Sequence, residues 1–379
     1  MKRTVTTLLI VLSFTVLARA AADAADADDA VKRLVDAARI YDQREMATAS
    51  AALIEIGAPA VPALQGALND FDDNVRWQAV VALGSIGNPS RVTIPDLRKA
   101  SGDVDADVRA AAAEALGLLI ANDHLSLSCL RVVRDDRHGL VRASAEWALW
   151  KLAGDKRSIG RLVGLLGDQD WMVCQRAERF VAQIGTPAIP LLCKALEDRS
   201  HSRRQHAATA IGRIGPSTKV AIPALIHCLP DSEPRVSSAA SFALGQMGSV
   251  AVDPLIRILN AHPTAVRIRA LQALAAIGPD AISALPIIVH DINGTSKSER
   301  IAAIKVVGNI GPEARTALPV LISQLNHSDE DIRGASCEAI GNLGGTARSV
   351  YEKLSWMTQH DDEDFVRRAA QDAMERISR

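Results

Sequence analysis

Eight arginines return at near-regular intervals along this 379-residue chain: Arg76, Arg109, Arg142, Arg204, Arg267, Arg300, Arg333 and Arg367. Successive members lie 33, 33, 62, 63, 33, 33 and 34 residues apart. Acids such as Asp72, Asp105, Asp170 and Asp329 stand four places ahead of that position. Such a row has two possible chemistries. Unpaired guanidiniums would form an anion-binding ladder; arginines paired with acids of their own or the next repeat would hold a stack together, the acids capping helices. The accompanying acids favour pairing. A second cationic row, Lys194, His227, Arg257 and His290, is spaced 33, 30 and 33 residues apart. No phosphate-binding glycine loop, G-x-S-x-G, H-E-x-x-H or paired C-x-x-C occurs, so no catalytic constellation is legible. His201 and His206 are five apart and do not share a helical face. Neither a metal nor another cofactor is expected.

The arginine period belongs to a longer phrase. VRIRALQALAAIG (266–278) recurs as VRWQAVVALGSIG (75–87), VRASAEWALWKLA (141–153) and RRQHAATAIGRIG (203–215). Copies start at Glu45, Val75, Val108, Val141, Val173, Arg203, Val236, Val266, Glu299, Ile332 and Val366. Places 4, 8 and 11 of the phrase are apolar or small in every copy, and place 0 in all but Glu45, Arg203 and Glu299; at 100° per residue the four fall on one stripe of an α-helix. Glycine usually stands at place 12, where a helix end takes a left-handed residue, and proline often follows. A second apolar run then opens with its own proline, as in AVPALQGAL (60–68) and AIPALIHCL (221–229); proline is tolerated there because that N–H has no helical partner. Each unit is therefore a long helix A, a Gly-Pro turn and a short helix B. A fixed period of this size marks a solenoid.

The pattern D-x-x-V-R-x-x-A-x-x-A-L-x-x-I-G, here DDNVRWQAVVALGSIG (72–87) and DEDIRGASCEAIGNLG (329–344), resembles HEAT repeats. It is most similar to the phycobilisome-lyase-type HEAT-like variety. The resemblance covers roughly 42–379 and implies an all-α, armadillo-type superhelix, right-handed, of ten helix pairs with half-repeats at each end. It also implies that the B helices line the concave side. On that basis Lys194, His227, Arg257 and His290 point into the groove, with Leu191 and Ile287 on one apolar margin and Ile258 on the other. At about 10 Å per repeat the stripe is about 30 Å long. It suits a protein or peptide partner, preferably acidic. The expected function is an exported, non-enzymatic interaction scaffold. The alternatives are a lyase-like or modifying-enzyme subunit and, less compatible with the charge, a nucleic-acid-binding solenoid. Trp77, Trp147 and Trp150 oppose the core stripe of helix A and fall on what reads as an outer face, either as partner anchors or folded over small neighbours such as Gly117.

Lys2 and Arg3 lead an uncharged run, Thr4 to Ala18, that ends in Ala18-Arg19-Ala20. This reads as a secretory signal peptide over 1–20, and implies a periplasmic or secreted address. Residues 21–30 read as an acidic flexible tether and 31–379 as the solenoid. Its repeats start near 42, 72, 105, 138, 170, 200, 233, 263, 296 and 329, with a terminal half-repeat near 363. Removing 1–20 takes three of the 43 basic residues and none of the 44 acids. The remaining net negative charge lacks the basic footprint of a nucleic-acid binder. No later stretch reads as a membrane span, the five cysteines read as buried thiols, and a monomer is expected.

Overall fold

The computed structural model describes residues 25–120, 122–294 and 296–378; the expected leader at 1–20 lies outside them. The chain divides into two compact units, one running to Phe180 and the other from Val181. Both are built from the same helix pairs, and no strand occurs among the described residues. The fold is an all-α solenoid. In the first unit the A helices include Gln43–Ile56, Asp73–Ile86, Ala106–Leu118 and Gly139–Ala153, followed by Trp171–Ile184 across the boundary. In the second they are His201–Ile214, Pro234–Gln246, Thr264–Ile277, Lys297–Ile310, Glu330–Asn342 and Asp364–Ser378. Most B helices are half as long, for example Val61–Ala67, Ile189–Ala195 and Leu318–Gln324.

The phrase sets these boundaries. Asp72 and Asp105 sit in extended backbone and accept from the first free N–H groups of their helices, satisfying donors that otherwise lack partners. Ser200 and Ser296 do the same in later repeats. At the other end Gly215 (φ 81°) halts helix A; a 3-10 turn follows at Pro216–Ala221, and Pro223 opens helix B. Between the caps the stripe is buried: Val108, Ala112 and Leu116 are inaccessible to solvent.

Two copies depart from glycine at the turn. The helix of the fourth repeat runs one residue longer and ends on Gly154, φ 64°. The third has no such rescue, and Ile120 itself takes φ 52°. A β-branched side chain there crowds its own backbone. Arg91, donating to the Leu119 carbonyl at 2.7 Å, pins the turn from the side. Ile120→Gly relieves about 1–2 kcal/mol of that crowding, partly offset by glycine's unfolded-state entropy. The net expectation is a gain of about 1 kcal/mol, read as an upward shift in chemical-denaturation midpoint with unchanged slope.

Three expectations meet the structure here, and the first and third need correction. Residues 25–39 form one helix, with Ala27, Ala30 and Leu34 buried, so 25–30 is structured and not a tether; alternating small residues among the acids give it a face to bury. The run Thr264–Ile292 is apolar and long enough to pass as a membrane span by composition. It is a helix pair joined by the 3-10 turn Gly278–Ala284, with Ala270, Leu271, Leu274 and Ile288 in the core. The cysteines are all free, but Cys129 and Cys193 are only half-buried. Burial pushes the Cys228 thiol up to about 11 and that of Cys337 to about 12.

Candidate interaction surface

The arginine row is engaged within the chain, although Arg300 meets Gln324 and the Gly294 carbonyl in place of an acid and its buried Nε has no partner; the acids that hold the others are not the helix caps. Arg76 donates through Nε and Nη2 to Asp103, both at 2.8 Å, and through Nη1 to the carbonyls of Asp70 and Phe71 at 3.0 and 3.1 Å. Arg109 repeats this with Asp136 and the carbonyls of Asp103 and Val104. Arg204 and Arg333 do the same with Asp231 and Asp361. Each guanidinium thus ties its own loop to the next one through a planar, two-pronged contact. The aspartate stands five places before the next phrase, two before the cap, a position the sequence reading passed over.

Exceptions follow the pairing logic. The fifth repeat has Cys174 in the arginine's place, its Sγ 3.2 Å from the Asp168 carbonyl, and Asp198 is met by Arg203 instead. The seventh has Ser237 where arginine would be and Ala261 where its aspartate would be. In the eighth, Arg267 takes Asp291 and Glu299. Burial pushes the Asp291 carboxyl up, against the pull of Arg267. This row binds the stack, not an external anion.

The second row is solvent-facing as read. Lys194, His227, Arg257 and His290 are exposed, and Leu191 is 38% exposed beside them with Ile287 half-buried. Ile258 is not a margin residue: it is 5% exposed, and Ala195 and Cys228 at the same place in their helices are buried too. A helix B of about two turns tucks the end of its apolar face beneath the following loop.

The concave placement of the B helices is also reversed. In both units successive A helices touch along their length, while successive B helices meet at few positions or none. Small residues cause the asymmetry. A Cβ on Gly212 would lie 2.9 Å from the Ala243 Cα, and one on Gly117 would lie 3.0 Å from the Ala148 Cβ. A helices therefore meet at backbone range, whereas B helices meet through Leu, Ile and their 3-10 turns. Layers that pack more closely form the inside of a curve, so the A helices line the inner side of each unit. The first unit shows how tightly: Arg179 donates to both carboxylate oxygens of Glu114, two repeats away, at 2.9 and 3.1 Å. Arg176 reaches the same Glu114 at 3.5 Å and Ser144 at 3.2 Å.

This inner face carries the tryptophans that read as outward. Trp147 is buried, stacked on Phe180 at 5.0 Å with the Lys151 ammonium 4.8 Å from its ring, and its edge fills the space beside Gly117. Trp150 is half-buried. Trp77 is half-buried and walls a depression of about 220 Å³ with Val81, Leu118, Glu114, Arg176 and Arg179. Val81 is 37% and Leu118 41% exposed there. On the second unit's inner face Phe242 is 45% exposed. Among the described residues no group of three or more His, Cys, Asp or Glu side chains converges as a metal site would.

Comparison with known proteins agrees with this architecture. No curated protein gives a significant match. Among solved structures, the Kap95p chain described as inducing RanGDP's switch loops to adopt the GTP-bound conformation aligns with a TM-score of 0.55 and 12% identity. That alignment covers 92% of this chain and 55% of Kap95p. Kap121p bound to Nup53p aligns with a TM-score of 0.52 and 13% identity, over 88% of this chain and 45% of that one. These likenesses show the fold, and the chain spans about half the length of either karyopherin. The CpcE–CpcF complex of phycocyanin lyase from Nostoc sp. PCC7120 is 27% identical over 41% of this chain and 98% of its own, with a TM-score of 0.37. The family model for HEAT repeats matches residues 27–117, 61–150, 130–212, 189–275, 222–291 and 285–375. With caps, turns and the inter-repeat arginine pairs all following that repeat, the chain belongs to the HEAT-repeat family.

Proposed function

We propose that this chain is a non-enzymatic scaffold that holds a protein or peptide segment against the inner face of its A helices. One observation carries the reading: on that face an apolar depression with charged side chains at its rim is more enclosed than the hollow of about 660 Å³ that the B-helix side forms over Ile189, Val220, Pro223 and His227. The recurring arginine row, by contrast, is spent on internal contacts. Solenoids stabilised by nearest-neighbour burial are free to vary their exposed faces for recognition, and the aligned Kap121p structure is one of a chain holding a protein partner. The reading keeps residues 1–20 as an export signal, so the mature chain begins at Ala21.

The test is a hydrogen-exchange footprint on a partner captured with the mature chain. Protection is expected in 75–87, 106–118 or 234–246, with none in 189–195, 222–227, 252–261 or 285–292. Charge reversal at Lys194 and Arg257 should leave the affinity unchanged. Protection confined to those B helices, with loss of binding on charge reversal, would return the site to the Lys194–His290 row and overturn this placement.

A further inference from the structure

The rim of the first unit's depression is not electrically balanced. Arg176 and Arg179 share the single carboxylate of Glu114, and Lys151 lies further along the same face over Trp147. Asp107 acts on Arg176 only through space, and burial pulls the Arg176 guanidinium below its ordinary range. Arg179 keeps 47% of its side chain exposed although it is paired, so it can accept a second carboxylate without breaking the first contact. Below this cationic rim the floor is apolar: Val80 is buried, and Val81 and Leu118 are part-exposed.

The volume decides what fits. About 220 Å³ is below the roughly 300–1,000 Å³ of small-molecule sites. A metabolite would stand mostly in water, whereas a single leucine-sized side chain would be covered. We infer that the Trp77–Val81–Leu118 depression takes one apolar side chain of an acidic protein segment, whose neighbouring Asp or Glu side chain engages Arg179. The inference rests on the scaffold reading and specifies the partner's chemistry. Anchoring follows the usual division, with apolar burial supplying affinity and the charged rim supplying orientation and selection. The rim makes a basic segment repulsive.

The test needs no natural partner. The full chain is titrated with the acetylated, amidated peptide AELLEA and followed by methyl and indole NMR. Its AKLLKA and AEAAEA analogues are the controls. Shifts should localise to Val81, Leu118 and the Trp77 indole, with AELLEA binding about fivefold tighter than AKLLKA. That preference should vanish in about 1 M salt, where screening acts within about 3 Å. Arg179→Ala should remove the charge preference and leave the melting temperature within a degree or so of the parent, and Leu118→Ser should weaken both leucine peptides alike. No localised shift up to about 20 mM peptide, affinity weaker than any functional anchor, would overturn the inference. So would equal affinity for AELLEA and AKLLKA at low salt. Either failure leaves the scaffold reading to its own footprint, because a partner protecting 234–246 would still establish A-helix binding elsewhere on the face.

Discussion

Replacing Glu146 with alanine is expected to destabilise the first unit by about 3–5 kcal/mol, the cost of removing one member of a buried ion pair. Glu146 lies on helix A of the fourth repeat and is 1% exposed. It accepts from Arg134 Nε and Nη2 at 3.0 and 2.9 Å and from the Ser158 hydroxyl at 2.5 Å, with Arg161 Nε at 3.4 Å. Alanine leaves the largely covered Arg134 with Asp155, at 3.4 Å, and the more distant charge of Asp135 to answer it. A buried charge without its partner costs more than the pair ever contributed. The Glu146→Leu, Arg134→Met double variant should therefore recover much of the loss. Urea titration of the single and double variants checks this; a single-variant effect below about 1 kcal/mol would mean that Glu146 is solvated and the seam open.

The second large effect lies in the arginine row. Arg109→Ala removes a side chain that is 9% exposed and strips donors from Asp136 and from two loop carbonyls at once. It should cost about 3 kcal/mol. Because each repeat is stabilised by its neighbours, the loss should broaden unfolding into a separate early transition. Arg109→Lys should recover only part, since an ammonium cannot reproduce the two-pronged contact with Asp136 while also reaching the carbonyls of Asp103 and Val104.

The pH dependence has a definite sign. Burial pushes the Asp136 carboxyl up, but the Arg109 hydrogen bonds, the His138 backbone N–H and nearby positive charge outweigh it, and its pKa is lowered. Asp231 and Asp361 are lowered chiefly by Arg204 and Arg333. A carboxylate depressed in the folded state contributes stability above its unfolded value of about 3.9, and loses it as pH falls through the folded value. The gap in melting temperature between the parent and Arg109→Ala should be constant from neutral pH to about 5 and shrink below about 4. A gap that instead widened with acid would contradict the pairing with Asp136.

Much of the fold was legible because its determinants are local. Asp72, Asp105 and Ser200 cap a helix within three residues of themselves; Gly215 and Pro223 stop one helix and start the next. The stripe Val108, Ala112, Leu116 needs only the 3.6-residue turn to fix its direction. Even the arginine row was recognisable as pairing chemistry, although Asp103 and Asp136 escaped notice because their partners lie 27 residues back and the nearer acids, Asp105 and its kin, had an evident local role.

The sequence by itself determined the repeat, its helix boundaries and the absence of a legible catalytic motif, since each depends on contacts a few residues apart. Tertiary structure alone decided which face is inner. Helical periodicity gives the angle of Trp77 or Lys194 to the core stripe, but it is silent on which layer of neighbouring helices packs closer. That choice came from Gly117 meeting Ala148 and Gly212 meeting Ala243 at backbone range, contacts between separate helices. It moves the proposed recognition surface from the Lys194–His290 row to the face of Trp77, Leu118 and Arg179.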